Sequence, residues 1–103
     1  MLFAFSVAPS VSDESGSVSA AVADAIRVVR DSGLPYELTS MFTTIEGDWD
    51  EVMPVIKAAC DAVAQHGPRV SLVLKADLRP GYADQLTAKV SRVREHLDQE
   101  GPA

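Results

Sequence analysis

An α+β sandwich, with helices packed on one face of an antiparallel sheet, is the fold class this sequence predicts. Three observations carry that reading. Strand-like and helix-like hydrophobic periods alternate in the order strand, helix, strand, strand, helix, strand, and one more helix follows. Within 36–47, Leu38 and Ile45 are an odd number of residues apart, so the chain must reverse between them for both to reach one core. The 103 residues are 47% hydrophobic, which suffices for a single domain with its own core.

Leu2 to Ala8 alternates, with Phe3, Phe5 and Val7 on one face and Leu2, Ala4, Ser6 and Ala8 on the other. Pro9 closes that strand. Ser10 to Ser17 reads as a loop ending on Ser17 as a helix N-cap. Val18, Val22, Ala25, Ile26 and Val29 then recur at helical spacing, while Asp24, Arg27, Arg30 and Asp31 face water. Gly33 supplies the left-handed stop, and Pro35 prevents continuation. A short strand from Tyr36, a turn at Ser40-Met41-Phe42 and a second strand from Thr43 to Gly47 satisfy the odd spacing. Asp48 and Glu51 resemble a capping box. The helix they open buries Trp49, Val52, Met53, Ile56, Ala59, Cys60 and Val63. Pro54 predicts a kink in its first turns, unless the helix starts at Asp50. His66-Gly67-Pro68 ends it.

The last strand, Val70 to Ala76, turns Val70, Leu72, Leu74 and Ala76 one way and Ser71, Val73, Lys75 and Asp77 the other. Arg79-Pro80-Gly81 ends it. A final helix from Ala83 to Gln99 is expected to hold Leu86, Val90, Val93 and Leu97 inward, so residues 1–99 form one domain with a frayed tail at 100–103. This order is that of the ferredoxin-like, split βαβ arrangement, βαββαβ with an additional C-terminal helix. Its first and third strands lie at the sheet centre, and the last flanks the first. The sheet face away from the helices carries Ala4, Ser6, Thr44, Glu46, Ser71, Val73, Lys75 and Asp77. It is half-polar and is expected to lie uncovered, so function or assembly is sought there.

The net charge of −6, with nine scattered Lys and Arg residues, argues against nucleic acid, whose binding rests on neutralising phosphates. A neutral or cationic ligand suits the balance better. Cys60 is the single cysteine, which excludes an internal disulfide and a multi-thiolate metal site, and its apolar surroundings predict an inert thiol. No apolar run approaches the length of a membrane span, and no signal-peptide pattern opens the chain, so a cytoplasmic protein without membrane attachment is expected. The sequence holds no Gly-rich phosphate loop, nucleophile elbow or zinc spacing. His66 and His96 have no partners resembling a catalytic or metal cluster. The expectation is therefore a non-enzyme without metal or cofactor.

Ser6, Thr44, Glu46 and Lys75 come from neighbouring strands and could converge on one polar ligand with donor, acceptor, anion and cation. Glu46 and Lys75 equally suit a plain cross-strand ion pair on a wet face, worth little. Tyr36 and Phe42 flank the turn and could stack on a flat heterocycle, or simply pack. Thr39, Thr43 and Thr44 suit strands as readily as they suit hydroxyl roles.

Several runs together resemble a known family. They are Phe5-Ser6-Val7-Ala8-Pro9, Ser32-Gly33-Leu34-Pro35-Tyr36, Leu38-Thr39-Ser40-Met41, Thr44-Ile45-Glu46-Gly47-Asp48-Trp49-Asp50-Glu51-Val52-Met53, and Arg69-Val70 through Lys75-Ala76-Asp77. In order and across nearly the whole chain, they are similar to the small thiamine-binding proteins of the MTH1187/YkoF-like group (DUF77). The resemblance implies a ferredoxin-like subunit that dimerises, and often tetramerises, through its sheets. It also implies binding of thiamine, or of its hydroxymethylpyrimidine part, with no chemistry performed. Ser6, Thr39, Thr44, Glu46 and Lys75 would then be polar contacts, and Tyr36, Met41 and Phe42 apolar walls. An aminopyrimidine suits a carboxylate and hydroxyls, and a cationic thiazolium suits an acidic host. Where the family usually has a Pro-Met-Gly turn, this chain has Ser40-Met41-Phe42, which leaves Phe42 to fill the pocket, line it or alter the preferred ligand. The acidic pair usual after the last strand is here Asp77-Leu78. The alternative to ligand binding is a protein-interaction or oligomerisation module.

Overall fold

The computed structural model describes residues 1–10 and 18–100. Ser17, expected to cap the first helix, and residues 101–103 of the expected tail lie outside the described residues. The chain runs β1 (Leu2–Pro9), α1 (Ser19–Asp31), β2 (Tyr36–Leu38), β3 (Thr43–Glu46), α2 (Trp49–Val63), a 3₁₀ turn (Ala64–His66), β4 (Val70–Asp77) and α3 (Gln85–Glu100). The strands form one antiparallel sheet in the order β2-β3-β1-β4. This is the α+β split βαβ arrangement that the periodicity predicts.

Alternation dictates which side chains are buried. Phe3, Phe5 and Val7 of β1 point to the helices, and so do Thr43 and Ile45 of β3, which pair with Phe5 and Phe3. From α2 they meet Val52, Ile56, Ala59 and Val63, spaced by four, three and four residues so that they share one helix face. Full burial of side chains such as Phe3, Phe5 and Ile56 contributes about 1.5–3 kcal/mol each before the entropy of ordering them is counted. Trp49 meets Phe3 edge to face at 5.9 Å and so ties the start of α2 to β1.

The capping box at Asp48 and Glu51 is present, with the Asp48 amide donating to Glu51 Oε1 at 3.1 Å. The helix opens at Trp49 and runs on through Pro54, which is exposed. Gly33, at φ 78°, is the left-handed residue that ends α1, with its amide on the Arg30 carbonyl. Cys60 is half-buried, and desolvation, followed by the Asp61 charge, pushes its thiol pKa up.

Three expectations about the helices need correction. On α2, Trp49 is expected to be buried but is 47% exposed, because as the first residue of the helix it meets the core only through its edge-to-face contact with Phe3. On α1, the fully buried stripe is Ala21, Ala25 and Val29, while Val18, Val22 and Ile26 are only partly covered. Small residues at the centre let the helix approach closely, which turns the bulkier valines and isoleucine toward its flank. On α3, Leu86 is partly covered, but Val90, Val93 and Leu97 are exposed, and no α3 residue is buried. A 3.6-residue period shows that a helix has an apolar stripe without showing what covers it. Only the first turns of α3 meet the domain.

Candidate functional site

Two distinct places receive the residues singled out from the sequence. The first is a cavity of about 240 Å³ at the end of the sheet where β2 turns into β3. The turn builds one wall. The Thr39 amide donates to the Phe42 carbonyl at 2.9 Å, the Thr39 hydroxyl donates to the same oxygen at 2.7 Å, and the Phe42 amide donates back to Thr39 Oγ1 at 3.3 Å. The hydroxyl thus holds a tight reversal, without proline or glycine, with Ser40 and Met41 at its tip. β1 supplies Phe5 to Ala8 as the floor, and Val18, Val22 and Ile26 of α1 form the opposite wall.

Ser6, Thr39, Met41 and Phe42 are therefore brought together by the fold. Met41 is 74% exposed at the rim, while Phe42 is half-buried. At about 240 Å³ the cavity falls below the roughly 300–1,000 Å³ of drug-sized sites, which suits one substituted ring. Tyr36 lies instead in a neighbouring open groove of about 490 Å³, with Arg27 and Arg30, that shares Val22, Ile26 and Leu38 with the cavity. Arg27 is held by Asp24 and Arg30 by Asp31.

The second place is the opposite sheet face. Ala4 of β1 pairs with Thr44 on one side and Lys75 on the other, so these three side chains share that face. Glu46 lies on it too, but the expected ion pair with Lys75 is not formed among the described residues. Its carboxylate accepts the amides of Gln85 at 2.8 Å and Leu86 at 3.2 Å, the first two residues of α3. The face expected to lie uncovered is therefore partly covered, because a buried carboxylate takes the nearest pair of orphan amides. Lys89 adds a bond to Asp77 at 2.8 Å. This pair, first through its hydrogen bond and then through its charge, holds the Asp77 carboxyl below the usual range.

Reading the sequence for polar ligand contacts missed Val18, Val22 and Ile26 as cavity residues. The signal was present: α1 carries two parallel apolar stripes, 18-22-26 and 21-25-29, where one suffices for a core face. His66, assigned to helix termination, also meets Asp24 of α1 at 2.6 Å and lowers its pKa, with Arg27 as the next cause. Among the described residues no helix is long and apolar enough to cross a membrane.

A family model described as thiamine-binding protein matches residues 3–94. UPF0045 proteins of Mycobacterium bovis and Mycobacterium tuberculosis are each 53% identical over 99 residues, covering 94% of both chains. A UPF0045 protein of Methanothermobacter thermautotrophicus is 39% identical over 85 residues, covering 81% of this chain and 86% of its own. Among solved structures, a Methanocaldococcus jannaschii protein superposes with a TM-score of 0.81 at 31% identity, covering 91% of this chain and 95% of its own. A Thermotoga maritima protein with the provisional name of a thiamine biosynthesis/salvage protein has a TM-score of 0.73 at 26% identity, covering 88% and 97%. The chain belongs to the thiamine-binding protein family, the group also designated DUF77 and UPF0045.

Proposed function

We propose that this protein binds thiamine or its hydroxymethylpyrimidine moiety without transforming it, and does so as a homo-oligomer. The observation that carries the reading is the small, mostly apolar cavity beside the Thr39–Phe42 turn, in a chain of the thiamine-binding family. In it the pyrimidine ring rests between Phe42 and the α1 wall, with Ser6 and Met41 at its margin. Thr39 acts by holding the turn, because its hydroxyl is already engaged. Tyr36 borders the adjoining groove, where the rest of a longer ligand would extend. Thr44 and Lys75 belong in this reading to the self-association face, and Glu46 acts through α3. Self-association is supported by the exposed Val73 on the open sheet face and by Val90, Val93 and Leu97 on α3, which a monomer leaves in water.

Calorimetric titration with thiamine and with hydroxymethylpyrimidine tests the ligand, and light scattering tests the assembly. Absence of heat for both compounds at millimolar concentration would sink the ligand reading. The exposed α3 stripe favours one alternative, a module whose surface serves a protein partner. An oligomer or heteromeric complex, with no small-molecule response in a thermal-shift screen, would favour that alternative.

A further inference from the structure

β1 is longer than one of its two ladders. β4 pairs with it from Leu2 to Pro9, whereas β3 pairs with it only from Leu2 to Phe5. In an antiparallel sheet alternate residues turn both their N–H and C=O toward the same neighbour. Two bonds show which residues face which way. The Gly47 amide donates to the Met1 carbonyl at 3.0 Å on the β3 side, and the Ser10 amide donates to the Arg69 carbonyl at 2.9 Å on the β4 side. Odd-numbered residues of β1 therefore present their backbone to β3. Phe3 and Phe5 find Ile45 and Thr43 there. Val7 is the next in line and finds no strand among the described residues, because the chain has turned away at Ser40–Phe42.

The Val7 amide and carbonyl consequently open on the cavity, and no described residue bonds to either. Val7 is only 6% exposed, a setting in which an unpaired peptide group is unfavourable. Pro9, the following residue on that side, has no amide to leave unpaired. Among the described residues the alternation thus leaves one adjacent donor–acceptor pair, at the floor of a ring-sized cavity.

We infer that the backbone of Val7 is the recognition edge for the ring: its N–H donates to a ring nitrogen and its C=O accepts from the neighbouring exocyclic amine. The ligand then takes the place of the next ladder pair, as an added strand would. This rests on the pyrimidine-binding reading above and names the chemical edge that it selects, an amine beside an unprotonated ring nitrogen. A ring with an oxo group in place of the amine presents the reverse order, an acceptor outside and an N–H inside. A ring without the amine leaves the carbonyl unpaired. Selection by a peptide group also explains how a cavity with few polar side chains can discriminate between heterocycles.

The test combines ligand and protein readouts. Calorimetry compares thiamine with its analogue bearing an oxo group for the pyrimidine amine, and with its analogue lacking the amine. Nuclear magnetic resonance on protein labelled with ¹⁵N-valine follows the Val7 amide, identified by its disappearance in Val7→Ile. The expected result is at least tenfold weaker binding of both analogues, together with a downfield shift and at least tenfold slower hydrogen exchange of the Val7 amide on saturation with thiamine. Thiamine binding with the Val7 amide unmoved, or analogues binding within twofold of thiamine, would overturn the edge assignment alone. No binding of thiamine or hydroxymethylpyrimidine at millimolar concentration would remove the ligand reading and this inference with it.

Discussion

Replacing Glu46 by alanine should release the last helix without unfolding the sheet. The Glu46 side chain is on the face opposite the core, yet the residue is only 8% exposed because the start of α3 covers it. Its carboxylate accepts two amides, at 2.8 and 3.2 Å, from groups that no turn of α3 can satisfy. A hydrogen bond to a charged group contributes about 1.5–3 kcal/mol. Gln85 and Leu86 are half-exposed, so water replaces part of the loss, and we expect about 2–3 kcal/mol for the pair together rather than twice the single value. That is a roughly 30- to 150-fold rise in opening of α3. Glu46→Gln keeps a neutral acceptor and should lose about half as much free energy. Native-state hydrogen exchange at Gln85, Leu86 and Ala88 reads the opening, and tryptic cleavage at Lys89 and Arg92 follows it. Exchange and cleavage within twofold of the parent protein in Glu46→Ala would refute the assignment of α3's anchor to this carboxylate.

Three further outcomes are expected. Thr39→Val removes the hydroxyl that bonds Phe42 in both directions, so urea unfolding should show a loss of about 1 kcal/mol, and under the proposed function thiamine affinity should fall with the turn. Gly47→Ala places a methyl 2.9 Å from Cγ2 of the fully buried Val52, so denaturant melts should show about 1–3 kcal/mol of overpacking. Asp24 and Asp77 are both held below the ordinary carboxylate value of 3.8, chiefly by their bonds to His66 and Lys89. Their stabilisation is complete above that unfolded-state value and is lost as pH falls through the lower folded-state values. Thermal melts of an Asp24→Asn, Asp77→Asn double variant should accordingly show a shallower loss of stability below pH 3.8 than the parent.

Features fixed by neighbours in sequence were the legible ones. The alternation of Phe3, Phe5 and Val7 identified both the strand and its buried face, and Asp48 with Glu51 marked the helix start within four residues. The odd spacing of Leu38 and Ile45 pointed to the reversal that Thr39 and Phe42 now stabilise, but only Ile45 reaches the core: Leu38 turns to the same side of the sheet and stays 57% exposed at its edge. Features fixed by distant partners were not legible. Glu46 and Lys75 looked like a pair because they share a face, but the carboxylate reaches residues 39 and 40 positions away instead. The cavity wall was hidden for a related reason. Val22 and Ile26 looked like core because they are bulky and periodic, whereas the small Ala21 and Ala25 occupy the closest approach. Hydrophobic pattern reports that a side chain avoids water, and packing decides where it goes.

The anchoring of α3 by Glu46 also bears on the order in which the molecule assembles. A 16-residue helix stands near the limit of about 12–15 residues at which isolated helices become marginal in water, and its first amides depend on a strand placed far upstream. The segment 85–100 is therefore expected to remain coil-like until β3 has docked beside β1 and presented its carboxylate. Being also the last part of the described chain to be synthesised, it would gain structure only after the sheet is complete. Its helicity then serves as a reporter of finished folding, and the apolar stripe of Val90, Val93 and Leu97 takes shape only once the sheet is complete.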